Sequence, residues 1–163
     1  MTTRTLAMLA AALEVTTGCV FIAAPTLVVQ LLIGASLSSG GIAIARVGGC
    51  GLLSLGLACW PSRNGVTAQA VSALFTYNLL TALYLGYLSL VGGFAGYLLW
   101  PAFAVHSLLS VLLAGPVYQA ARKEWLSIHF PQITIEIASE VVVSPKVEAE
   151  TKSKTAPSNS RVA

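Results

Sequence analysis

Polar side chains are scarce in the first 121 residues, and four of them have the chemistry to form a site. They are Glu14, Arg46, Asn78 and His106. A carboxylate and a guanidinium can neutralise each other, and an amide and an imidazole can exchange hydrogen bonds. In apolar surroundings each group is costly unless it is paired, so we predict that the four meet. At about 1.5 Å per helical residue, all of them fall in the middle to outer half of the membrane, and the long side chain of Arg46 can reach Glu14.

Two main uses of this polar cluster are open, and ligation of a cofactor by His106 is a third. In the first, Glu14 and Arg46 form an ion pair, while Asn78 and His106 form hydrogen bonds between helices; such bonds contribute about 0.6–2 kcal/mol each in a membrane. In the second, the four side chains line a polar cavity for a proton relay, a small ligand or a lipid headgroup.

Patterns typical of catalytic or metal sites do not accompany these residues. His106 is the only histidine before the tail, and Cys19, Cys50 and Cys59 form no C-x-x-C pair. The sequence has no H-x-x-x-H pair and no phosphate-binding glycine pattern after a strand. We therefore predict no catalytic residue, no metal and no identifiable cofactor.

The charges are segregated along the chain. Hydrophobic residues make up 56% of the chain and charged residues 9%, against roughly 25% charged in soluble domains. Only four of the fifteen charged residues precede residue 122. Such a stretch has too few charges for a solvated surface, so the predicted solvent is the lipid bilayer. No cluster of basic residues suits nucleic acid.

Four hydrophobic stretches predict an all-α bundle of four transmembrane helices in residues 1–121. Pro25 interrupts the first stretch, so residues 25–34 are expected to continue it after a kink or to lie at the interface. The Gly92–Gly93 pair ends the third, and Pro101 is an alternative start for the fourth. The expected helices are 5–24, 41–60, 66–90 and 94–121.

The positive charges predict the orientation of the bundle. Arg4, Arg63 and the Arg122–Lys123 pair all fall on one side of four crossings, and the other two loops carry no Lys or Arg. Both termini are therefore expected in the cytoplasm. Trp60 and Trp100 lie at predicted helix ends, where an indole suits the boundary between lipid and water.

Small residues on the second helix predict close helix packing. Gly41, Ala45 and Gly49 are spaced four apart, and Gly56 falls on nearly the same face. Without large side chains, another helix can approach this face closely.

Residues 122–163 are polar and are predicted to be a cytoplasmic tail. Ile133, Ile135 and Ile137 alternate with polar residues, as in a strand, and the composition from Ser144 onward is typical of disorder. This tail is either flexible or a docking segment for a partner.

Three segments resemble small bacterial four-helix membrane proteins of the DoxX-like and DUF4345-like kind. They are Glu14 followed by Gly18 and Pro25, the stretch ARVGGCGLLSLGLACW from Ala45 to Trp60, and LLWPAFAVHSLLSVLL from Leu98 to Leu113. The resemblance covers about residues 5–120. It implies a four-helix fold in a bacterial cytoplasmic membrane and implies no activity.

The function expected first is a non-catalytic accessory or structural subunit of a larger membrane complex, whose partners are the bilayer and other membrane subunits. The second is a small transporter or ligand-binding membrane protein that uses the polar cluster. The third is a membrane enzyme acting on quinone or lipid.

Overall fold

The chain folds into α-helices, as its composition predicts. The computed structural model describes residues 2–63 and 65–129, and within these ranges it contains five helices and no strand. The prediction of an all-α fold is therefore confirmed. The helices are α1 (Thr3–Ala23), α2 (Pro25–Ile33), α3 (Ser39–Ala58), α4 (Ala68–Leu90) and α5 (Leu99–His129).

Hydroxyl side chains fix where two of the long helices begin. The Ser38 hydroxyl accepts a hydrogen bond from the backbone N–H of Gly41 at 3.2 Å, and Thr67 does the same for Ala70 at 3.2 Å. Each side chain thereby satisfies one of the N–H groups that have no partner at a helix start.

The first helical stretch is interrupted just before Pro25. Ala24 adopts φ −137° and ψ 58°, outside the helical region, and α2 begins at Pro25. Proline has no N–H and tolerates the first position of a new helix. Within residues 25–34, expected as a continuation after a kink or as an interfacial segment, Pro25–Ile33 thus form the separate helix α2. Gly34 follows it as the C-cap, and its φ of +73° favours glycine.

The last helix begins and ends later than expected. It starts at Leu99, so Pro101 lies in its first turn, and it continues to His129, beyond the boundary expected at residue 121. Arg122, Lys123 and Glu124 are good helix formers, so the drop in hydropathy at this point ends the apolar surface without ending the helix. The predicted tail from residue 130 onward lies outside the described residues.

Residues up to Ala120 form one compact unit. Its apolar core lies where α1, α4 and α5 meet, with Cys59 closing one end. The core residues are Leu6, Ala7, Ala10, Cys59, Val71, Leu74, Leu109 and Leu113.

Glycines bring α1 and α3 into close antiparallel contact. A methyl group placed on Gly49 would lie 2.9 Å from the Gly18 carbonyl oxygen, and one placed on Gly56 would lie 2.7 Å from the Ala11 carbonyl oxygen. These distances leave no room for a side chain on Gly49 or Gly56. The two helices therefore approach each other closely at these glycines, and dispersion holds the pair together.

Only part of the predicted small-residue face makes this contact. Gly49 and Gly56 are buried, whereas Ala45 is half-buried. The atoms nearest to a methyl group on Gly41 would belong to Leu37 and Ser38, which immediately precede the helix. Gly41 lies in the first turn of α3, so its surroundings are its own cap instead of a neighbouring helix.

The outer surface of the helices is apolar. Ile44 is 75% exposed, Leu90 77% and Val111 73%. A soluble protein does not expose apolar residues on this scale. Four helices (α1, α3, α4 and α5) are long and apolar enough to cross a membrane, which supports the predicted multi-pass membrane protein.

Candidate functional site

Three of the four predicted polar residues meet inside the compact unit, one from each of three helices. Glu14 of α1 and Asn78 of α4 are fully buried, and His106 of α5 is half-buried. The His106 Nδ1 atom lies 2.7 Å from Asn78 Oδ1, and Asn78 Nδ2 lies 3.5 Å from Glu14 Oε1. We call these three residues the polar cluster.

The apolar core explains why the three side chains share one level. Glu14 lies one turn after Ala10, and Asn78 lies one turn after Leu74. His106 lies one turn before Ser110, which is also buried and donates a hydrogen bond to the His106 carbonyl at 2.8 Å. The polar cluster is therefore the layer of the α1–α4–α5 interface that lies one helical turn beyond the apolar core.

Asn78 organises the cluster because its amide has a fixed orientation. Its Nδ2 group donates to the Leu74 carbonyl oxygen at 2.9 Å. A carbonyl oxygen can only accept, so the amide nitrogen must lie on that side and the amide oxygen must face His106. The amide therefore joins α4 to α5 strongly and reaches α1 only through the long contact with Glu14.

Arg46 is not part of this cluster, and the expected ion pair with Glu14 does not form. Arg46 is exposed on α3. Glu14 Oε1 receives its bond from Asn78, and Oε2 is buried without a hydrogen-bond partner. On α3, Arg46 lies about 60° around the helix from Gly49 and about 80° from Gly56, at the edge of the face that packs on α1, and its side chain is exposed there.

A cavity of about 370 Å³ lies on the side of the cluster away from the core. The His106 ring forms part of its wall, next to Tyr77, whose ring meets it edge-on at 6.0 Å between centroids. Thr17 and Thr81 contribute hydroxyl groups, and the rest of the wall is apolar. The apolar lining residues are Leu13, Phe21, Val28, Leu32, Leu52, Leu85, Leu98, Pro101, Ala102 and Val105.

The short helix α2 forms one side of this cavity. Val28 and Leu32 of α2 belong to its wall. The Leu98 backbone N–H, just before α5, donates to the Leu31 carbonyl oxygen at 2.8 Å. The helix is interrupted at Ala24, the separate helix α2 then lines the cavity, and this hydrogen bond joins it to the residue before α5.

The predicted interfacial tryptophans lie at helix ends. Trp60 follows α3 and is 49% exposed, and Trp100 is the second residue of α5 and is 56% exposed. Among the described residues, no group of three or more His, Cys, Asp or Glu side chains is placed to hold a metal ion.

Two features of the site escaped the sequence analysis. The cavity wall draws on all five helices, and no sequence spacing encodes that. The role of Gly18 in the α1–α3 contact did leave a signal: Ala11 and Gly18 are seven residues apart, as are their partners Gly56 and Gly49. Comparisons of the chain with protein-family models, with curated proteins and with solved structures found no match, so the resemblance to DoxX-like proteins stays a prediction.

Proposed function

We propose that this protein binds a small, largely apolar molecule, which it takes from the lipid, in the cavity beside the polar cluster. The observation that carries the proposal is the cavity itself: about 370 Å³, a mostly apolar wall and one imidazole in that wall. Small-molecule sites typically measure about 300–1,000 Å³ and combine an apolar lining with a few fixed polar groups.

The polar cluster supports this function because burying its polar groups lowers the stability of the fold, and the hydrogen bonds of the cluster do not offset the whole cost. An apolar layer at this level would need no hydrogen bonds. The carboxyl, the amide and the imidazole do need them, and Glu14 Oε2 has no partner. Burying such a group unpaired is unfavourable. In membrane proteins, polar residues inside the bundle mark sites of function. Here the cluster fixes the His106 ring at the cavity wall.

Filling the cavity tests the proposal. Ala102 lines it, so Ala102→Phe places a ring inside it. Ala104 lies two residues along the same helix and is exposed, so Ala104→Phe is a matched control. Wild-type protein and the Ala104 variant, purified in nanodiscs, should yield the same apolar small molecule on solvent extraction and mass spectrometry. The Ala102 variant should fold and lack it; equal recovery from all three would contradict the proposal.

The second candidate function is the accessory subunit, and one observation favours it. Arg46 is exposed on α3 between Val47, which is 72% exposed, and Ile44, which is 75% exposed. A guanidinium on a lipid-facing surface is costly unless a partner pairs with it or the side chain reaches the interface. A neighbouring membrane subunit with a carboxylate at this level would supply the pairing.

This candidate predicts a complex that depends on Arg46. Extraction in a mild detergent followed by native gel electrophoresis should show a species larger than the single chain. Arg46→Leu should remove that species, whereas Arg4→Leu at the exposed start of α1 should not. A single-chain species in wild type would exclude the assembly.

We also propose that the chain lies in a bacterial cytoplasmic membrane with both termini in the cytoplasm. Four crossings put the two ends of the bundle on one side. Arg4 in the first turn of α1 and Arg63 between α3 and α4 fall on that same side, as the positive-inside rule requires of a cytoplasmic face.

A further inference from the structure

We infer that the cavity selects molecules that carry a hydroxyl group, because the free ring nitrogen of His106 accepts a hydrogen bond and does not donate one. This inference rests on the proposed ligand-binding function and names the chemical class of the ligand: an apolar alcohol or phenol.

The hydrogen bond to Asn78 decides which ring nitrogen of His106 carries the proton. The orientation of the Asn78 amide is set by its bond to the Leu74 carbonyl, so Asn78 Oδ1 faces His106 Nδ1 at 2.7 Å. An amide oxygen has no proton to give. Nδ1 must therefore donate, and in a neutral imidazole the proton on Nδ1 leaves a lone pair on Nε2.

The surroundings of the ring decide its charge. A second proton would make His106 a cation, and a buried cation needs an anion beside it. The groups that face the ring are the Asn78 amide and the edge-on Tyr77 ring, both uncharged. Glu14 is held off by the width of the Asn78 side chain, which bonds to both residues. The surroundings therefore suit a neutral ring.

The burial of Nε2 decides whether a ligand can reach it. Over the described residues, Glu14 Oε2 is a buried side-chain polar atom without a partner, and His106 Nε2 is not among such atoms although no protein group bonds to it. Nε2 thus keeps contact with open space, and His106 lines the cavity. Because the ring is part of the cavity wall, we assign the lone pair on Nε2 to the cavity.

The other polar groups of the wall do not set the same preference. Thr17, Tyr77 and Thr81 carry hydroxyls, which rotate and can both donate and accept. They accommodate a carbonyl, an ether or a hydroxyl equally. His106 is the group whose role is fixed, so it decides which ligands fit.

A matched ligand pair tests the inference: naphthol and its methyl ether, which differ by the loss of the one donor. Binding is measured by equilibrium dialysis against nanodiscs that contain the full-length protein, with empty nanodiscs as the blank for partition into lipid. We expect naphthol to bind about tenfold more tightly, or better, than the ether. His106→Phe should bind both with equal affinity, since it keeps an aromatic ring and loses the acceptor.

A second measurement does not depend on a variant of the site. The chain has two histidines, and His129→Gln leaves His106 as the only one. NMR of isotope-labelled imidazole should show a proton on Nδ1 and none on Nε2, with the Nε2 resonance moving when naphthol is added.

The outcomes separate the two claims. Equal binding of both ligands to the wild type, or tighter binding of the ether, overturns the inference and leaves the proposed binding function standing. A proton on Nε2 in the NMR spectrum also overturns it. If neither ligand binds beyond the blank, the proposed function fails, and the inference fails with it.

Discussion

One added methyl group at Gly56 should measure how closely α1 and α3 pack. The carbon that Gly56→Ala introduces would lie 2.7 Å from the Ala11 carbonyl oxygen and 2.8 Å from the Val15 backbone nitrogen. Ordinary contacts begin at 3.4 Å, so the first distance is about 0.7 Å too short. Both opposing atoms are backbone, and no rotamer change removes them. The whole helix α1 must withdraw.

This displacement sets the expected loss of stability. Overpacking a well-packed interface typically costs about 1–3 kcal/mol. In lipid, no hydrophobic effect pulls the separated helices back together, so the lost dispersion contacts are not replaced. A loss of about 1.4 kcal/mol already lowers the folding equilibrium constant tenfold. We therefore expect Gly56→Ala to lower the free energy of unfolding by about 1–3 kcal/mol.

The control is a glycine on the same helix with nothing opposite it. At Gly51 no atom lies within 4 Å of the added carbon. Alanine is the better helix former by about 1 kcal/mol in water, so Gly51→Ala should be neutral or slightly stabilising. Gly49→Ala and Gly48→Ala repeat the comparison at adjacent positions, since a carbon on Gly49 meets Gly18 and one on Gly48 meets nothing.

The assay is unfolding of the purified protein by titration of sodium dodecyl sulfate into mild detergent, followed by tryptophan fluorescence. The reasoning is refuted if Gly56→Ala unfolds at the same detergent fraction as wild type. It is also refuted if Gly51→Ala is as unstable as Gly56→Ala, because the loss would then come from helix propensity or lipid contacts instead of the interface with α1.

Three other predictions follow from the site and the topology. Glu14→Gln should change the unfolding free energy by less than about 1 kcal/mol in the same assay. The reason is that breaking a buried ion pair would cost about 3–5 kcal/mol, and Glu14 has no such pair. A loss of about 3–5 kcal/mol would instead indicate that Glu14 is paired with a cation. Asn78→Leu should cost about 1–2 kcal/mol, since it leaves the His106 N–H without its acceptor, and unchanged stability would show that the bond is not formed. In a variant whose own cysteines are replaced, Ser36→Cys should react with a membrane-impermeant maleimide on intact cells and Ser62→Cys only after lysis; the reverse pattern would invert the proposed orientation.

The helices were predictable because lipid imposes a simple rule. A helix must cover about 30 Å with apolar residues, and hydropathy alone located α1, α3 and α4 to within two residues at each end. The meeting of Glu14, Asn78 and His106 was predictable for a related reason: polar side chains inside a bilayer find one another because lipid offers them no partner.

Rotation and backbone breaks were not predictable in the same way. Arg46 is at a suitable depth to meet Glu14, but α3 turns its glycines toward α1, and its charge then lies on the outside. Nothing in the spacing decides between these two faces. The cavity wall includes α2, and α2 is a separate helix because one residue, Ala24, departs from helical geometry.

The order of groups in the polar cluster favours binding over proton transfer. A proton relay needs groups that can gain a proton at one atom and lose it at another. Asn78 stands between His106 and Glu14, and its amide accepts through Oδ1 and donates through Nδ2 without exchanging protons between them. The imidazole and the carboxyl are therefore linked in orientation and separated in proton chemistry. What the amide does transmit is geometry, since its bond to Nδ1 fixes the orientation of the His106 ring in the cavity wall. A rigid hydrogen-bond acceptor suits the recognition of a hydroxyl, as we propose, better than it suits a proton relay.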